Sequence, residues 1–131
     1  MFYNRFCFPF PTVLTWPFRM PRFSTKAKAP AKIATTIHLQ KLVHNAGHQY
    51  KAERAIKEIV KAAQNLMGTE TVKIDQELNS KVWYRSRCAP PTRVRVVMER
   101  KADAENSEKM ITVVSYVPVE SFKGLVTEKV E

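Results

Sequence analysis

Apolar positions along this chain change their spacing several times, and each change marks a different element. Between Thr35 and Val43, Ile37, Leu39 and Val43 fall on one side and Thr36, His38 and Gln40 on the other. That alternation predicts a half-buried strand, and Lys41, which interrupts the apolar side, makes it short or places it near an edge. His44, Asn45, Ala46, Gly47 and His48 read as a turn. From about Tyr50 the steps become three and four residues, and Ala52, Ile56, Ile59, Val60, Ala63 and Met67 form one helical stripe. Arg54, Lys57 and Lys61 lie on the opposite side of that helix, with Glu53 and Lys57 spaced to pair. Gly68 is placed to end it in a left-handed cap.

Thr71–Ile74 is a short extended piece, after which Asp75 can cap a second helix from Gln76 to about Arg85, with Leu78 and Val82 inward. Pro90 and Pro91 stop any helix. In the strand over 93–100, Val94, Val96 and Met98 face one way and Arg93 and Arg95 the other. A polar loop follows over 101–109, then a return strand over 110–117 that pairs antiparallel with the one before it. Pro118 ends that strand, and Phe122 and Leu125 pack a short turn back onto the body. The order β-α-β-α-β-β predicts a small α+β domain, with two helices on one face of a small mixed sheet. Residues 33–126 form that domain; 1–32 are an extension and basic arm without an independent fold, and 127–131 a C-terminal tail.

Charge changes the picture from fold to partner. The chain has 131 residues and a net charge of +10, yet none of its 12 acidic residues precedes Glu53. An acid-free arm leading a cationic body suits a polyanion, because each neutralised phosphate releases condensed counterions. Nucleic acid is the expected polyanion, although basic chains also bind anionic membranes. On the arm, Arg22, Lys26, Lys28 and Lys32 alternate with Ala, Pro and Ser, a composition that orders on binding. On the body, Arg85, Arg87, Arg93 and Arg95 lie near Trp83 and Tyr84, a mixture that suits phosphate forks and stacking on unpaired bases. The ridge of Arg54, Lys57 and Lys61 can span a phosphate backbone, although Glu53 and Glu58 dilute it. Replacing Arg93 and Arg95 together by Ala is expected to weaken RNA association with stability nearly unchanged. A domain of about 95 residues buries only about 60–65 % of its unfolded surface, so a bound partner would stabilise it.

Other chemistry finds little support. Cys7 and Cys88 form no C-x-x-C pair, which argues against a zinc ribbon or a disulfide framework, and Cys88 reads as a reduced thiol. His44 and His48 have the spacing of helical metal ligands, but Gly47 lies between them and no acidic or cysteine ligand is near. With only Gly47, Gly68 and Gly124, no phosphate-cradling loop exists. No catalytic residues, metal, cofactor or small-molecule substrate are expected, and no apolar run reaches the length of a membrane span. The first 23 residues hold six of the seven phenylalanines, broken by Pro9, Pro11, Pro17 and Pro21. Their basic, acid-free character keeps an organelle-targeting reading open; a natural start at Met20 is the other reading.

Several segments together are familiar. Thr36-Ile37-His38-Leu39, Arg54-Ala55-Ile56-Lys57-Glu58-Ile59, Met67-Gly68-Thr69, Val72-Lys73-Ile74-Asp75, Val82-Trp83, Arg93-Val94-Arg95-Val96, Tyr116-Val117-Pro118-Val119 and Phe122-Lys123-Gly124-Leu125 run in one order over residues 35–126. This series resembles the eukaryotic and archaeal large-subunit ribosomal protein thirty-one family. The resemblance implies a non-enzymatic, structural component of the cytoplasmic large ribosomal subunit that binds its rRNA near the polypeptide exit. It also implies neighbouring ribosomal proteins and nascent-chain factors as partners. Carried over by position, Lys41, Lys51, Arg54, Lys57, Lys61, Lys73, Arg93, Arg95, Arg100 and Lys101 become rRNA-contact candidates, and Trp83 a structural or stacking position. The segment from Gly47 to Arg54 departs from the family pattern by losing two basic positions and a helix-starting proline, and Val60 and Val97 stand where basic residues are common. A free RNA-binding regulator with the same domain is the alternative; a small enzyme using Cys88 or His44 is a third, weaker one.

Overall fold

A computed structural model of the chain describes residues 29–103 and 109–130. It holds β1 (Ala31–Ile37), α1 (Leu39–Val43), a single 3₁₀ turn at His48–Tyr50, α2 (Lys51–Met67), β2 (Thr71–Ile74) and α3 (Gln76–Trp83). These are followed by β3 (Val94–Ala102), β4 (Met110–Tyr116) and β5 (Glu128–Val130). The strands make one mixed sheet in the order β2-β4-β3-β1-β5, antiparallel throughout except for the parallel pair β2–β4. The expected α+β class, with helices covering one sheet face, is the fold observed.

The core follows from the two periods. Register pairs Ile37 with Val94 and Met98 with Val114, so alternate strand residues present one apolar face. Against it pack Leu39 and Val43 from α1, Ala52, Ala55, Ile59, Ala63 and Met67 from α2, and Leu78 and Val82 from α3. Alanine at three of the five buried α2 positions lets that helix lie close to its neighbours. Gly68 ends α2 at φ 65° and ψ 31°, with its N–H on the Gln64 carbonyl at 2.7 Å, the left-handed stop expected for it. Asp75 occupies the N-cap of α3 without a side-chain capping bond; its carbonyl accepts from Asn79 N–H.

Three boundaries differ from the expected ones. The first strand lies over 31–37, and residues 39–43 turn into α1. Leu39 and Val43 are four apart, a spacing that serves a helix as well as a strand face, and both are buried in α1. The Lys41 N–H donates to His38 Nδ1, and Gln40 N–H donates to the Thr92 carbonyl, which ties the start of α1 to the approach to β3. Lys32 is therefore a strand residue and not part of an unstructured arm. The 127–131 segment likewise supplies β5, which pairs with β1 at Lys32, Ile33 and Ala34. The second helix ends at Trp83, two residues before the expected limit, so Arg85 and Arg87 stand in the connection to β3.

Candidate nucleic-acid interface

The cationic side chains divide by what already holds them. Arg95 lies on the sheet face opposite the helices but is only 5 % exposed. Its guanidinium donates to Thr36 Oγ1 at 3.1 Å and to the Val126 carbonyl at 2.9 Å. A charge so enclosed and bonded ties β3 to β1 and to the segment entering β5, and is not presented to a phosphate. The two members of the expected Arg93 and Arg95 pair differ in setting: Arg93 is exposed, whereas Arg95 is buried and bonded within the protein. Arg100 is half-buried, with Nη1 on the Met67 carbonyl at 2.6 Å and Nε on the Ala29 carbonyl at 2.8 Å. It thereby supplies a cation to the last carbonyls of α2, where the helix dipole favours one.

A second group shares its charge with acids at the surface. Glu58 bridges Arg54 at 3.0 Å and Lys61 at 3.1 Å. Lys73 meets Asp103 at 3.5 Å, and Lys101 meets Glu99 at 2.9 Å. The hydrogen bond from Lys101 holds the Glu99 carboxyl below the usual carboxylate range, helped by the charges of Lys101 and Lys32. Arg87 pairs with Glu53 and lies 5.2 Å from the Tyr50 ring centroid, so the expected Glu53–Lys57 pair does not form. Exposed pairs of this kind are each worth only about 0.2–1 kcal/mol and exchange readily for a phosphate. Among the described residues Lys41, Lys51, Lys57, Arg85 and Arg93 make no ion pair. Arg22, Lys26 and Lys28 lie outside the described residues.

An acid-free groove lies where α3 meets the approach to β3. Lys81, Tyr84, Arg85, Arg93, Tyr116 and Phe122 line a groove of about 560 Å³, walled also by Pro91 and Val119, with no carboxylate in its lining. Lys81 Nζ stands 5.4 Å from the Tyr84 ring centroid and 5.7 Å from that of Tyr116. The Tyr84 side of this arrangement is open, at 79 % exposure. Trp83, singled out from the sequence, is half-exposed and does not line the groove; its neighbour Tyr84 does. Lys81 and Tyr116 were not legible as site residues, although Lys81 and Tyr84 have the three-residue spacing that puts them on one side of α3. A separate groove of about 640 Å³ gathers Lys32, Arg100 and Lys101, but Glu99 lies among them.

The candidates for metal or nucleophilic chemistry, His44, His48 and Cys88, lie among the described residues. No group of three potential ligands occurs among them. His44 Nδ1 lies 3.2 Å from the Lys41 carbonyl, and Cys88 is a half-buried free thiol. No described helix is long and apolar enough to cross a membrane.

Comparison with known proteins gives one answer. Residues 31–109 match the family of ribosomal protein L31e. The large ribosomal subunit protein eL31 of Cyanophora paradoxa is 44 % identical over 86 % of this chain and 98 % of its own length. Its Drosophila melanogaster counterpart is 48 % identical over 73 % of this chain and 79 % of its own. That of Aedes aegypti is 39 % identical over 86 % and 97 %. These are structural proteins of the ribosome and not enzymes, and the chain belongs to the ribosomal protein L31e family.

Proposed function

We propose that this protein docks on the rRNA of the cytoplasmic large subunit through its unpaired cations, beside neighbouring ribosomal proteins and near the polypeptide exit, where nascent-chain factors approach. The observation that carries the reading is the acid-free cluster of Lys81, Arg85 and Arg93, set on a domain of the L31e family. Lys57 and Lys41 extend the contact along the helical side. Arg54, Lys61, Arg87, Lys73 and Lys101, whose charged ends are half-exposed, join it by leaving their carboxylate partners for phosphates. Lys32, at the other end of the sheet, and Lys51 are further contacts, and the arm cations Arg22, Lys26 and Lys28 thread between RNA helices. Arg95 and Arg100 are engaged by bonds within the protein, while the half-exposed Trp83 remains a stacking candidate.

The test is to purify large subunits, wash them in rising salt and follow this chain. Retention through moderate salt and release with a steep salt dependence is expected, because each phosphate neutralised adds a slope of about 0.7–0.9 in log affinity against log salt. A chain absent from the particle, or found chiefly in light fractions, would remove the reading and favour a free regulator.

A further inference from the structure

We propose that the groove between α3 and the start of β3 takes one unpaired nucleobase of RNA, stacked on Tyr84, with the flanking phosphates on Arg85 and Arg93. This rests on the rRNA-docking reading and narrows it, from attraction to a backbone toward capture of a base out of the stack.

Four observations converge on that occupant. Tyr84 follows the last residue of α3 and stands 79 % exposed, so the core does not require it. Its ring, Tyr116 and Phe122 supply flat apolar surface, which an aromatic base matches. The charges lining the groove itself are all positive, Lys81, Arg85 and Arg93, while Asp75 and Glu77 line an adjoining hollow that shares Lys81, Tyr84 and Tyr116. A purely apolar partner would leave those cations unused, and a cationic one would be repelled. Finally, the volume of about 560 Å³ falls within the range of about 300–1,000 Å³ typical of sites that enclose small ligands. Duplex RNA keeps its base faces stacked inside the helix, so only an extruded or single-stranded nucleotide offers the face that Tyr84 can cover. Lys81, held 5.4 Å and 5.7 Å from two ring centroids, places a positive charge beside the base that stacks there.

The experiment measures binding of the full-length protein to a labelled twelve-nucleotide single-stranded RNA and to a blunt-ended RNA duplex of the same strand length with no loop, by anisotropy at fixed salt. Tyr84→Ala is expected to weaken the single strand about 5- to 150-fold, the size of one base–aromatic stack, and to leave the loop-free duplex within about twofold. Tyr84→Phe should retain the single strand, whereas Arg85→Ala should weaken both ligands. Equal losses on the two RNAs for Tyr84→Ala, or no loss on either, would overturn the proposal. So would an acidic peptide that displaces the single strand in a Tyr84-dependent way, since the groove would then serve a protein. Failure here leaves the salt-wash result standing, so the slot and the docking reading fall separately.

Discussion

At the scale of the single residue, Arg93 and Arg95 show how far alternation can mislead. Alternation puts both on one side of the expected strand, yet Arg93 precedes β3 and is exposed, while Arg95 is enclosed by bonds to Thr36 and Val126. The sequence shows which face a strand residue takes; it does not show what lies across that face, because the partners of Arg95 are 59 and 31 positions away. Arg95→Ala strips a charged donor from two acceptors and is expected to cost about 1.5–3 kcal/mol of stability, read by urea unfolding of the full chain. Arg93→Ala should stay within about 0.5 kcal/mol by the same measurement, while reducing the salt slope of RNA binding by about one. If the two variants proved equally stable, the structural role assigned to Arg95 would be lost.

At the scale of the element, α2 was the most legible part because three cues agree on it. Its apolar residues recur with the helical period, its cations lie opposite, and Gly68 stops it with a positive φ that other residues resist. Gly68→Ala should therefore destabilise by about 1 kcal/mol, and Ile59→Ala, wholly buried, by about 2–5 kcal/mol. Melting curves of the two variants would separate them, the second falling much further. The region from Leu39 to Val43 misled because its spacing satisfies both periods, and the decision is made by tertiary bonds such as Gln40 N–H to Thr92. β5 left no pattern at all: Glu128, Lys129 and Val130 are every one exposed, and only the edge of β1 makes them a strand.

At the scale of the whole molecule, the cations are not one patch but several. One set is spent on holding the fold, another is loosely neutralised at the surface, and a third lines the groove beside α3. The overall charge predicts a polyanionic partner, yet it cannot sort these sets, because sorting depends on which carboxylates fold to which side. Removing residues 127–130 would delete β5 and expose the flank of β1; such a chain should unfold at a lower temperature than the intact one and associate with itself at higher concentration, visible by light scattering.

That last strand also sets a timetable. Ala34 meets Glu128, so during synthesis β1 must wait for more than ninety further residues before its outer flank is closed. The carbonyl of Val126 that receives Arg95 arrives equally late. A newborn copy thus passes through an interval with an open strand edge and a guanidinium short of one of its two acceptors, a condition that exposes a polypeptide to aggregation.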